Sequence, residues 1–531
     1  MSNQDAQISS ALPGYITGAT PNPATNRAPW YKNTAPTYAG IFLWFVFWQD
    51  AVKSSAKAGG LSQGIGVALL GLVIAALICH FLFYLVPGLL GMKTGLPLYI
   101  VGTSTFGATG GFLMPGFLMG LLQFGWLGVN IYFASLAIAG FTGLPASALM
   151  VVWGVLAAFV GLKGIQYVAK VATYLPLIPV AVLLIMFAKT AGGLGGFDPK
   201  ALADAHSAAA GYASPPLETF SIVDGGVIGF LAVYVVGFFA TAGAAGVDFG
   251  TNSRDKKDVS MGGLVGIALA IVLTAGLSTL IVAGVHGSKE YGPKAVEMAQ
   301  AAAEKAVADI DAQTAELKKA GKTDDQIDTM KENAQVDAAT SKLLVSTSLM
   351  EVVLGKKVAD ILMFLLALAA FPPACFSSFI AANSFKTTLP DVNPFISVGI
   401  GAAVSIILAI TGVVASAISV FVVIGASFGP ICGAMLVDYW LAGKKWSGPR
   451  AGFNPAGWIA WALGFLVGSD AVRNWLLSHM GSFFAKFAGY SVPVSPVAAF
   501  IVGAVVYFIC MKIGLASKVV PLPAANQPSN V

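Results

Sequence analysis

The sequence predicts an all-α integral membrane protein with about twelve transmembrane helices. Three observations carry this. Only 10% of the 531 residues are charged and 56% are hydrophobic, with a mean hydropathy of +0.79. A soluble domain carries about 25% charge, so soluble globular and disordered classes are excluded. The apolar residues fall into continuous segments near the roughly 20 residues that a spanning helix needs, too long for the strands of a β-barrel. The 61 glycines suit close helix contacts in a bilayer. A net charge of +5 gives no nucleic-acid footprint. Cys79, Cys375, Cys432 and Cys510 lie in apolar stretches and read as packing thiols.

Twelve segments are expected, at 36–57 (α1), 63–91 (α2), 111–139 (α3), 146–163 (α4), 166–191 (α5), 219–247 (α6), 260–286 (α7), 358–385 (α8), 395–413 (α9), 415–441 (α10), 456–479 (α11) and 495–514 (α12). Residues 1–35 are polar, contain no signal-peptide core and read as a cytosolic tail, as do residues 515–531. The loops after even-numbered helices hold Lys93, Lys163, Arg254, Lys256, Lys257, Lys386, Lys444, Lys445 and Arg450, whereas the opposite short loops carry almost no base. The positive-inside rule then puts both termini in the cytoplasm of a multi-pass plasma-membrane protein. Residues 288–357 interrupt the pattern. Their Ala-, Glu- and Lys-rich run reads as two helices around a turn at Gly321, an external, solvated hairpin that buries little.

Polar or helix-breaking residues inside apolar spans mark transport sites, and four spans contain them. In α1, Gln49, Asp50 and Lys53 follow IFLWFVFW; an Asp50–Lys53 helical pair is the plainer reading. In α3, Gln123, Trp126 and Asn130 share one helical face, a stripe that can stack on a flat ring and bond its edge, or bond neighbouring helices. In α6, Gly237, Gly243 and Gly246 either unwind the helix or let neighbours approach, with Phe238, Phe239 and Thr241 close by. In α8, Pro372 and Pro373 cannot donate hydrogen bonds, which would free the carbonyls of Leu368 and Ala369 near Ser377, Ser378 and Asn383.

These motifs resemble the nucleobase:cation symporter-1 family, the purine, cytosine, hydantoin and allantoin permeases. GLSQGIGVALLG, GMKTGLPLYIVGTSTFGATGG, QFGWLGVN, GFFATAGAAGVDF, SSFIAANS and FGPICGAMLVDYWLAGKKW follow in the family's order between about Arg27 and Gly448. The resemblance implies a leucine-transporter fold. Residues 36–192 (α1–α5) and residues 217–287 with 358–442 (α6–α10) would form two inverted repeats of five helices. Residues 456–514 would add α11 and α12. It implies a substrate site of Trp126, Asn130, Gln123, Gly237, Phe238, Phe239, Thr241, Asn383 and Gln49, with no catalytic residues. It also implies a sodium site of Ala374, Ser377 and Ser378 with main-chain carbonyls near Trp44 and Phe47. The chain departs from the family pattern in the arginine expected soon after the α6 aromatics, in the proline pair, and in Asp50 and Lys53.

The function so implied is import of a planar nitrogen heterocycle by alternating access, coupled to sodium, with no other cofactor. A proton on Asp50, or Lys53 as a tethered cation, is the competing coupling scheme. An uncoupled or proton-coupled permease for a vitamin-like ring such as thiamine or pyridoxine, a channel and a ligand-sensing receptor are the other readings. An enzyme is not expected. GASFG at 425–429 matches a nucleophile-elbow pattern but follows no strand, and the four histidines are scattered.

Overall fold

A computed structural model describes residues 12–43, 52, 59–163, 174–212, 226–389, 391–415, 417–486 and 489–522. Among these, eight helices are long and apolar enough to cross a membrane, and a ninth if the bent pair Pro455–Gly468 and Asp470–His479 is one span. Ala146–Leu162 and Pro394–Ile410 are shorter apolar helices at the lower limit for spanning. The described part of α1 is Thr34–Phe42. Each of the twelve expected segments therefore contains a helix. On α9, Ile396, Ile400, Val404 and Ile407 are exposed at helical spacing. In a multi-pass membrane protein such a stripe faces lipid rather than water.

The helices form two packed sets. In one, α6 lies against α2 and α10, α7 against α2, and α10 against α12. In the other, α3 and α4 pack on α8 and α9. Glycines set the closest approaches. A Cβ on Gly401 of α9 would fall 1.8 Å from the Phe124 ring of α3, and one on Gly425 of α10 would lie 3.2 Å from the Gly237 backbone of α6. Gly237 thus serves close packing. The α6 helix runs unbroken from Gly226 to Ala244 and breaks instead at Ala245, before the short helix Gly246–Gly250 (α6b). The Tyr38 hydroxyl donates to Ala242 O (2.9 Å) beside that break.

Helix α8 is also broken. Its halves are Lys356–Ala369 (α8a) and Phe371–Thr388 (α8b), with Pro372 and Pro373 in the first turn of the second, where a missing N–H costs nothing. The backbone N–H groups at the α8a end bond the carbonyls of Leu366, Ala367 and Leu368. The expectation that prolines free the Leu368 carbonyl is therefore corrected.

A further expectation changes. Helix α11 turns by 93° after Gly468. Asp470, Arg473, Asn474, Ser478 and His479 follow this turn, and such residues are costly in a bilayer core. The Arg473 guanidinium, 2.7 Å from Asp470, caps the Val467 carbonyl at the bend. The described part of the N-terminal stretch packs on the helices: Leu12 and Ile16 are buried, Arg27 bonds Met92 O at 2.9 Å, and Ala28 bridges Ser253. The far end of the chain also docks, with Val519 bridging Arg450. Arg450 itself is buried and pairs with Asp438 at 3.3 Å, which also accepts from Tyr507.

The expected helical hairpin is present as Tyr291–Lys319 and Asp324–Leu344, the second opened by a Thr323–Gln326 capping box. It buries more than expected. Ala295, Ala299, Ala303, Ala339 and Leu343 join Leu202, Ala209 and Ala210 in a second apolar core. The partner is a helix at Pro199–Ala210, in a stretch the sequence pattern marks only as a connection between α5 and α6. His206 joins Thr340 and Tyr212 at 2.8 Å each. Thr340 donates to Val336 O, so His206 Nε2–H donates to Thr340 and Nδ1 accepts from Tyr212. Burial holds the His206 pKa below its ordinary value.

Candidate functional site

The two helix sets meet around a central pocket with about 70 Å³ of free space. Ile41 and Phe42 of α1, Gln123, Trp126 and Asn130 of α3, Phe238 and Thr241 of α6, and Phe376 and Ser377 of α8b contribute to its wall. The helical spacing in α3 delivers all three residues of the polar–aromatic stripe to one cavity. Trp126 Nε1 donates to Thr241 Oγ1 at 3.1 Å, tying α3 to α6. The Trp126 and Phe238 rings meet edge to face, 4.7 Å between centroids at 81°. This geometry is favourable for the pair itself and narrows the space between them.

The polar groups divide into engaged and available ones. Asn130 is held at both ends: its Nδ2 donates to Ala370 O at the α8 break (2.9 Å), and its Oδ1 accepts from Trp153 Nε1 (3.1 Å). Its amide therefore braces α8 and α4 while lining the pocket, and Trp153 orients it. Gln123 has a weaker tether, Nε2 to Met119 Sδ at 3.6 Å, so its carbonyl oxygen remains for a ligand. Nothing in the sequence pattern singles out Trp153, although an indole one helix away from a buried amide is a natural partner.

The other expected residues separate into three groups. Phe239 is fully buried and packs on Tyr38 and Phe42. Neither it nor Gly237 is in the pocket wall; successive helical residues point about 100° apart, so only one member of the aromatic pair can face it. Ser377 faces the pocket, whereas Ser378 is fully buried, with its hydroxyl 3.4 Å from Ala374 O. A Cβ on Gly161 of α4 would come 2.9 Å from Ser378 Cβ, so the two hydroxyls face different neighbours. Ala374 is buried too. Trp44, Phe47, Gln49, Asp50 and Lys53, and the Asn383 side chain, lie outside the described residues. Among described α1 residues, Ile41 and Phe42 reach the pocket.

Two neighbouring cavities adjoin this pocket. One of about 180 Å³ lies between Lys32, Asn33 and Thr37 and the Ala369–Phe376 turn of α8, sharing Pro373 and Phe376. The other, of about 530 Å³, shares Ala245, Phe249 and Ile380.

Broken helices at the junction of two helix sets, around a small mixed-polarity pocket, define a membrane protein of the leucine-transporter fold. That fold is shared with Mhp1 in an inward-facing conformation, with a TM-score of 0.57 at 13% identity over 95% of this chain and 96% of that one. It is shared also with Mhp1, a nucleobase-cation-symport-1 family transporter, in a closed conformation with bromovinylhydantoin bound (0.54, 13%, 94% and 96%). In sequence, the chain is 27% identical over 261 residues to the cytosine permease of Escherichia coli K12, covering 48% of this chain and 55% of the relative. It is 28% identical over 260 residues to the cytosine permease of Escherichia coli O157:H7, with the same coverage. The chain thus spans about half the length of the curated relatives it matches. No family model matches it. The chain is similar in sequence to cytosine permeases over about half its length and shares its fold with Mhp1.

Proposed function

We propose that the protein is a secondary active transporter that imports a planar nitrogen heterocycle, of nucleobase or related type, by alternating access. The observation that carries this reading is the Trp126–Phe238 pair beside Gln123 in a pocket enclosed by both helix sets. A flat ring entering between the two aromatics would replace their mutual contact with two ring contacts. Gln123 would then read its edge, with Asn383 as the family-implied second amide. At about 70 Å³ the pocket is below the roughly 300–1,000 Å³ of ligand sites, so binding requires Trp126 and Phe238 to part. The relatives named cytosine permease support a pyrimidine as the first ring to try.

Sodium is the proposed coupling ion, with Ser377 and the α8b backbone as the described side of its site and Ala374 and Ser378 as the family-implied remainder. The α1 side would come from carbonyls at or beyond Ile41, including those near Trp44 and Phe47. Hydroxyl and carbonyl oxygens suit a hard cation. Coupling through Asp50 or Lys53 is the competing scheme. The base-rich even loops support cytoplasmic termini in a plasma membrane.

Uptake by the purified full chain in proteoliposomes tests the reading. Accumulation of a labelled heterocycle against its gradient, dependent on an imposed cation gradient, is expected. Equilibration without accumulation would indicate a channel, and saturable binding without any flux a receptor. Sodium-independent uptake that follows a proton gradient and is lost in Asp50→Asn would replace sodium by Asp50.

A further inference from the structure

The larger cavity beside the central pocket has a chemistry of its own. Its wall comes from four places: Pro97 with Leu98 and Tyr99 of the short helix Leu98–Val101, the start of α3 at Pro115–Met119, the α6 break with Asp248 and Phe249, and Phe379, Ile380 and Ser384 of α8b. At about 530 Å³ it falls within the range of small-molecule sites, which the central pocket does not. Ala245, Phe249 and Ile380 belong to both walls, and Met119, which lines this cavity, accepts from Gln123 of the other. A thin partition thus separates the two.

Asp248 is the one acidic group on this wall among the described residues. Its Oδ1 accepts from the Leu98 N–H at 2.9 Å, which ties α6b to the first residue of the Leu98–Val101 helix. Among the described residues no lysine, arginine or histidine pairs with it, and none donates to its Oδ2. Helices that need a carboxylate for structure normally satisfy it, because a poorly solvated charge without a partner is costly. This chain does so elsewhere: Asp438 takes Arg450, Tyr507 and Ser447, and Asp258 takes Arg254 and the Trp30 N–H. Asp248 alone of these three faces a cavity of ligand size with an oxygen to spare.

We infer that this cavity is a second, release-side subsite for the heterocycle, in which Asp248 accepts from the ring's N–H donors. The inference rests on the transport reading and extends it. An ionised carboxylate only accepts hydrogen bonds. The subsite therefore selects rings that present an amino group or ring N–H, as aminopyrimidines do, over rings presenting only acceptors. Phe249 and Phe379 offer flat apolar faces beside the carboxylate. Because Phe249 borders both cavities, a ring can pass from the Trp126–Phe238 gap to Asp248 without leaving an aromatic surface. The subsite lies toward the end of the bundle where the N-terminal segment docks, since Tyr99 on its wall also contacts Tyr15. By the distribution of basic loops that is the cytoplasmic end.

Equilibrium dialysis of the purified full chain with radiolabelled cytosine, to saturation, tests this. Wild type is expected to bind two equivalents of unequal affinity. Trp126→Ala should lose one. Asp248→Asn should weaken the other at least tenfold, and Phe379→Trp, which fills the cavity from α8b and leaves Asp248 in place, should remove that same equivalent. Two variants on different helices guard against a folding defect in either. The inference is overturned if wild type saturates at one equivalent that only Trp126→Ala removes, or if Asp248→Asn and Phe379→Trp both retain two wild-type equivalents. If wild type binds no ring from a panel of cytosine, uracil, hydantoin and adenine, the transport reading falls and this inference with it.

Discussion

The protein has two apolar cores built on opposite principles. The membrane core packs Tyr38, Phe42, Phe83, Tyr84 and Phe239 at or near zero exposure around breaks at Ala245 and Ala370. The second core packs alanines from Tyr291–Lys319 against Leu202 and Ala209, in uninterrupted helices, two of them with side-chain caps at Asp198 and Thr323. In the first, helical hydrogen bonding is given up locally and the polar groups so exposed are assigned to side chains such as Tyr38 and Asn130. In the second, high helix propensity and small side chains supply stability with no cavity work. The difference separates where chemistry can happen from what supports it: a site needs groups left over after the fold is satisfied, such as the Gln123 carbonyl oxygen on the central pocket wall.

Substitutions in the membrane core should therefore change binding, and changes in the alanine core should change stability. The largest effect is expected from Trp126→Ala. It removes the Thr241 bond, the Phe238 contact and most of one wall. Losing about a hundredfold in Kd corresponds to about 2.7 kcal/mol, well within the cost of an aromatic truncation. Isothermal titration with the best ligand, alongside thermal unfolding of the unliganded variant, reads it. Trp153→Phe should come next. It keeps most of the ring volume but leaves Asn130 Oδ1 without its donor, at a cost of about 1–3 kcal/mol. A weakened but saturable ligand response is expected, with an unchanged response placing Asn130 outside the binding chemistry.

The alanine core should respond differently. Replacing residues 305–334 with a short Gly/Ser linker removes the hairpin tip and keeps Ala295, Ala299, Ala303, Ala339 and Leu343. Because loop length carries little entropic cost, uptake should persist within about twofold, as read in proteoliposomes. Abolished uptake with normal insertion would make the hairpin part of the gate. The smallest effect concerns pH. His206 has its folded pKa lowered by burial, so the unfolded form binds more protons as pH falls. Its stability contribution is complete above the ordinary histidine value of 6.5 and declines as pH drops below that toward the folded pKa. Hydrogen-exchange protection in 199–210, corrected for the intrinsic pH dependence of amide exchange, should fall between about pH 7.5 and pH 5 in wild type and less so in His206→Asn.

Much of this architecture is legible in sequence, for physical reasons that also explain the misses. Periodicity needs only local information, so spacing alone places the α3 stripe of Gln123, Trp126 and Asn130 on one face. The same holds for the turn at Gly321. What the stripe faces is not local. Asn130 reads as a ligand-binding amide until Trp153 and Ala370 are seen to occupy it. Phe238 and Phe239 read alike until the helix rotation assigns one to the pocket and the other to Tyr38. Helix Pro199–Ala210 escapes a hydropathy reading because its alanines carry little signal, although its Asp198 cap and Pro199 mark a helix start. Asp248 reads in sequence as one position of the α6 motif, and the cavity beside it reveals a carboxylate that no cation among the described residues pairs with.

The central claim is that Trp126 and Phe238, not Phe239, form the ring site. The most direct test is the thermal shift of the purified full chain with a heterocycle panel, in wild type, Trp126→Ala, Phe238→Ala and Phe239→Leu. A ligand-dependent rise in melting temperature is predicted for wild type and Phe239→Leu, lost in Trp126→Ala and Phe238→Ala. An undiminished rise in Trp126→Ala and Phe238→Ala, or a loss confined to Phe239→Leu, would contradict it.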